Sequence, residues 1–107
     1  MVVWLYDTAL MHEPHATPPD LRRRRLLFRA THRGTYENDV MLGGFIRAHL
    51  DVLDDADLTT LEALLELPDP DLADWLTGRQ PIALEPDDPV LRPVWPMLRR
   101  IRAAVAK

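Results

Sequence analysis

The chain is predicted to be all-α, a small bundle of five helices joined by short connections. Three observations carry this. Apolar residues recur at three- and four-residue spacing from about Leu21 onward, and no stretch shows the two-residue alternation of a strand. Pro, Gly and Asp also stand where helices would start and stop. At 107 residues the chain holds one domain with a modest core. Residues 1–19 are expected to form a flexible tail, and 20–107 a single helical domain.

The first helix is predicted from about Leu21 to Arg33, after the Pro18-Pro19-Asp20 stop, with Leu21, Leu27, Phe28 and Thr31 as its buried stripe. Arg22 to Arg25 turn through ~100° per residue and cannot share one face. Gly34 breaks the pattern. It stands where a helix ends on a left-handed residue, and Thr35 follows as the expected N-cap of a second helix running to about Leu53. Leu42, Phe45, Ile46, Leu50 and Leu53 give that helix its apolar face, and Gly43-Gly44 in its middle predicts close helix approach. His49 falls at the edge of this face as a satisfied histidine.

Asp54-Asp55-Ala56-Asp57 opens a third helix with acids where the helix dipole favours them. Leu58, Leu61, Leu64 and Leu65 form its core face, and Pro68 ends it. In Pro68-Asp69-Pro70-Asp71, Asp69 is the expected cap and Pro70 the first helical residue of a fourth helix ending near Thr77-Gly78. Leu72, Trp75 and Leu76 are its buried positions. A linker, 79–87, leads to a fifth helix from Asp88-Pro89 to Ala106, kinked or delayed by Pro93 and Pro96.

The charge balance is −4, from 13 basic and 17 acidic side chains that are segregated along the chain. Arginines crowd into 22–33 and 92–102, carboxylates into 51–74 and 85–88, a pattern of distinct faces on an acidic protein and not of a general nucleic-acid binder. Cysteine is absent, which excludes disulfides and thiolate metal sites. No apolar run approaches the ~20 residues of a membrane-spanning helix, so no stable membrane insertion is expected. The opening segment lacks a positive n-region and an arginine-rich amphipathic pattern, so a cytoplasmic location is expected, with Met11 as an alternative start. His12, Glu13 and His15 fall short of the ligand count of a closed metal site.

Catalytic signatures are missing. The chain has no serine or cysteine nucleophile, no phosphate-cradling glycine loop and no HExxH, and neither His32 nor His49 has a sequence neighbour defining a catalytic pair. The distinctive feature is the corner, Arg33-Gly34-Thr35-Tyr36-Glu37, followed by Asp39. Arg33 and Glu37 each carry the charge that the adjoining helix terminus favours and could pair across the break. Preceded by RRxLLFRATHR and followed some thirty residues later by PDPDLADW, this corner resembles the SdhE, or succinate dehydrogenase assembly factor 2, family over roughly Arg22 to Arg79.

The resemblance implies a five-helix assembly factor, not an enzyme. It would bind the flavoprotein subunit of succinate dehydrogenase or fumarate reductase and promote covalent attachment of FAD to a histidine of that subunit. FAD would thus join the client, with no cofactor held stably by the chain itself. Arg33, Gly34 and Glu37 map onto the family's functional motif, with Tyr36, Asp39, Arg29 and His32 expected beside them on the partner-binding surface. Arg33 and Glu37 are accordingly expected to be largely exposed. The alternatives are a helix-turn-helix contact with nucleic acid and an antitoxin-like or cytoskeletal regulator. The one-glycine break and the few basic groups on the second helix disfavour nucleic acid.

Overall fold

The computed structural model describes residues 18–106; the tail, with His12, Glu13, His15 and the Met11 question, lies outside the described residues. Five α-helices and no strand occur among them: α1 Pro18–Thr31, α2 Tyr36–His49, α3 Asp55–Leu64, α4 Asp69–Thr77 and α5 Trp95–Val105, with a 3-10 segment, Pro89–Val94, before α5. α1 and α2 form a hairpin. α3 packs on α1, while α5 closes the bundle against α2, α3 and α4.

The core joins Leu26 and Ala30 of α1, Leu42, Phe45 and Ile46 of α2, Leu58, Leu61 and Leu64 of α3, Leu72 and Leu76 of α4, and Leu98 and Ile101 of α5. Most predicted core positions are buried, but the phase of α1 is not as expected. Leu26 and Ala30 point inward, while Leu21, Leu27, Phe28 and Thr31 are only partly buried. Trp75 is likewise half-buried, its ring edge-on to Trp95 at 5.3 Å.

The rotated stripe is accompanied by ion pairs as well as by apolar burial. Arg22 grips Glu62 through Nε at 3.0 Å and Nη2 at 2.7 Å, and Arg29 meets Glu66 at 2.6 Å. Arg33 then reaches Asp69, one connection further on. These contacts advance in step along both segments, so α1 and α3 run in the same direction. The arginine-rich helix is in good part answered by the acidic 62–69 stretch.

Helix ends differ from expectation where the chain found other partners. α1 stops at Thr31 and α2 at His49, four residues before Leu53, whose N–H turns back to the His49 carbonyl at 3.2 Å. Thr35 takes the extended N-cap conformation without a side-chain hydrogen bond. Pro68, not Asp69, is the N-cap of α4, and Asp69 and Pro70 are already helical. Asp54 caps α3 in a reciprocal box with Asp57. Asp88 caps the 3-10 segment, and the prolines delay α5 until Trp95.

Gly43 bears out the expected close approach: a Cβ there would stand 2.4 Å from Thr31 Cγ2. Gly44 does not, since a Cβ at that position would meet open space. His49 is a core-edge residue, stacked on Phe45 at 4.3 Å with Nδ1 donating to the Phe45 carbonyl at 2.8 Å.

Candidate docking site at the RGTYE corner

The corner is set by Gly34, whose φ of +97° lies in the region that favours glycine. This reversal lets the chain leave α1 and enter α2 over only His32 to Thr35. Asp39, four residues into α2, locks the turn by accepting the Arg33 N–H on Oδ1 at 2.8 Å. The side-chain cap bond expected of Thr35 is absent, and the Asp39 contact instead ties the end of the turn after α1 to the first turn of α2.

Arg33 folds back under the corner. Its side chain is only 10% exposed, and Nε donates to Asp69 Oδ1. Nη1 donates to the Leu65 carbonyl at 2.7 Å and Nη2 to the Leu67 carbonyl at 2.9 Å. The expected exposure of Arg33 and its pairing with Glu37 are therefore corrected. The carbonyls of the α3–α4 joint and an aspartate 36 residues away offer the guanidinium more acceptors than the neighbouring helix turn could.

Asn38 completes this lock. Fully buried on the face that also carries Leu42, it donates from Nδ2 to both the backbone carbonyl and Oδ1 of Asp69, each at 3.0 Å. Burial of Asp69 opposes its ionisation and is the largest single influence on it. The hydrogen bonds from Arg33 and Asn38, with the Arg33 charge, outweigh burial and hold the carboxyl below its usual range.

Glu37 faces outward, with 53% of its side chain exposed and Arg79 Nη2 at 3.6 Å. Arg79 is anchored by Asp74, whose Oδ1 accepts from Nε at 3.0 Å. Tyr36 is 84% exposed. Arg29 is partly exposed while paired to Glu66, and His32 stacks on Phe28 at 4.0 Å.

Two shallow depressions meet at Asp69. One, of about 340 Å³, is bordered by Phe28, Arg29, His32 and Arg33; the other, of about 400 Å³, by Thr35, Tyr36, Glu37, Pro70 and Ala73. All seven motif-region residues named from sequence thus lie on or directly beneath one corner, but Asp69, Asn38, Arg79 and Asp74 were not foreseen there. Asn38 had a local signal, a polar residue four before Leu42 on an apolar stripe. The others are joined to the corner only by the fold. Among the described residues no cluster of three or more metal-ligating side chains occurs, and no helix is long and apolar enough to cross a membrane.

Fold and corner together define a small helical protein that presents a rigid, sequence-encoded charged surface. Residues 24–102 match the family described as flavinator of succinate dehydrogenase, and the chain belongs to that family. It is 54% identical over 71 residues to the FAD assembly factor SdhE of Acetobacter pasteurianus, covering 66% of this chain and 65% of that protein. With the FAD assembly factor SdhE of Ralstonia nicotianae it shares 39% identity over 87 residues, 81% of this chain and 90% of the relative. The mitochondrial succinate dehydrogenase assembly factor 2 of Dictyostelium discoideum is 33% identical over 70 residues, 65% of this chain and 50% of that protein. The chain thus spans just under two thirds of the first of these relatives and half of the last. No solved structure matches it.

Proposed function

We propose that this chain is an assembly factor that binds the flavoprotein subunit of succinate dehydrogenase and promotes covalent attachment of FAD to it. The observation that carries the reading is the family match over 24–102, which contains the whole corner. Attachment requires the isoalloxazine to be held beside its target side chain. A helper achieves this by favouring one conformation of a client that already contains the reacting groups. On this reading the chain is not an enzyme, holds no cofactor of its own and works in the cytoplasm, with fumarate reductase's flavoprotein as the alternative client.

Arg33, Asp39 and Asn38 act as positioning residues beneath the surface, while Tyr36 and Glu37, with Gly34 at the turn, form the contact. Engagement of Arg22, Arg29 and Arg33 by Glu62, Glu66 and Asp69 favours a protein client over nucleic acid, because those cations are already neutralised locally.

Glu37→Ala tests the assignment. The residue is exposed, so stability should change by no more than about 0.5 kcal/mol. Loss of a charge contact desolvated at an interface costs about 2–5 kcal/mol, so affinity for the apo-flavoprotein should fall at least about tenfold. In-gel flavin fluorescence should fall with it. Full flavinylation in cells lacking this protein overturns the function, and full affinity of Glu37→Ala overturns the surface.

A further inference from the structure

Glu37 is loosely held. At 3.6 Å its contact with Arg79 lies beyond hydrogen-bond range, and an exposed pair of that kind contributes little. Arg79 has a firmer anchor in Asp74 at 3.0 Å, which it keeps if Glu37 leaves. Glu37 can therefore be surrendered to another cation at small cost.

Beside it lies the 400 Å³ depression between α2 and α4. Its walls combine the exposed Tyr36 ring, Pro70 and Ala73 with the carboxylates of Glu37 and Asp69. An apolar wall suits the stem of a lysine or arginine, and an aromatic face beside a carboxylate suits its head. The N-termini of α2 and α4 would by themselves draw an anion, but first-turn acids Glu37, Asp39, Asp69 and Asp71 already answer them. The two charged residues that line the depression, Glu37 and Asp69, are both carboxylates.

We propose that this depression receives a basic side chain of the flavoprotein client, and that Glu37 exchanges Arg79 for that side chain on docking. Arg79 is then a resident placeholder that competes with the client, not a contact for it. This rests on the flavoprotein being the client.

The experiment is titration of purified apo-flavoprotein subunit with wild type, Arg79→Gln, Asp74→Asn and Glu37→Gln, each checked for an unchanged melt. Arg79→Gln removes the competitor and should tighten binding about two- to fivefold, the range an exposed pair provides. Asp74→Asn releases Arg79 toward Glu37 and should weaken it. Glu37→Gln should weaken binding in both the wild-type and the Arg79→Gln backgrounds. Unchanged binding by Arg79→Gln, with wild type binding normally, overturns the exchange, and weaker binding overturns it and makes Arg79 a contact for a client anion. Absence of binding by wild type overturns the functional reading itself.

Discussion

Arg33→Ala should destabilise the fold before it affects docking. The substitution removes a guanidinium with 10% of its side chain exposed and strands three acceptors: the Asp69 carboxylate and the carbonyls of Leu65 and Leu67. Removing one partner of a buried charge pair costs about 3–5 kcal/mol. Asp69 keeps 26% of its side chain in contact with solvent, and Asn38 still donates to it. Water can therefore replace part of the loss, which places the cost near the lower bound, about 3 kcal/mol. For a domain of this size each kcal/mol moves the midpoint by about 4–8 °C, so the melt should fall by about 12–24 °C. Circular dichroism at 222 nm gives the melt, and titration onto the apo-flavoprotein below that temperature gives affinity per folded molecule. In a double-mutant cycle, Asp69→Ala should cost less in the Arg33→Ala background, because the carboxylate has already lost its cation. A midpoint within about 2 °C of wild type would refute the reasoning, since a dispensable Arg33 cannot be joining α1 to the α3–α4 connection.

Gly34→Ala should cost about 1–3 kcal/mol purely through its backbone, because φ is +97° and a Cβ meets no atom within 4 Å; an unchanged denaturation midpoint would contradict this. The adjacent pair in α2 should respond in opposite directions. Gly44→Ala has open space and should stabilise by about 0.5–1 kcal/mol, whereas Gly43→Ala places a Cβ 2.4 Å from Thr31 Cγ2 and should destabilise. Thr31 cannot easily swing aside, since its hydroxyl donates to the Leu27 carbonyl at 2.9 Å. Urea midpoints of both variants check the signs. Because the Asp69 carboxyl titrates lower in the folded than in the unfolded chain, its stabilisation is complete above about pH 4 and drains as pH falls through the depressed folded value. Asp69→Asn should therefore be less stable than wild type at pH 6 and converge on it toward pH 2; a constant gap would remove the linkage.

The sequence made local geometry legible and left distant pairing hidden. The left-handed turn at Gly34, the acidic opening of α3 and the arrest of α5 by prolines each depend on residues a few positions apart, and each stands in the structure. The phase of α1 does not have that property. Leu21, Leu26, Leu27, Phe28 and Ala30 offer more than one apolar stripe, and the one the fold buries is also the one that brings Arg22, Arg29 and Arg33 to carboxylates 36 to 40 residues away. Asp69 was misread for a related reason. An aspartate between two prolines is a strong cap candidate, but the backbone starts α4 one residue earlier and frees the carboxylate for Arg33 and Asn38.

That choice divides the motif's labour. Arg33 and Glu37 are four residues apart and look equivalent in sequence, as charges flanking a glycine. The positive φ of Gly34 separates them: Arg33 points back beneath the corner to Asp69, and Glu37 points forward into solvent. On the proposed docking role, the arginine sets the geometry of the surface and the glutamate supplies its chemistry. Asn38 reinforces the division because it is buried and binds the same aspartate as Arg33, tying the first turn of α2 to α4. With two helix starts fixed on one carboxylate, the backbone beneath Tyr36 and Glu37 is set during folding. On the proposed docking role, less of the interaction energy would then be lost in ordering that backbone on binding.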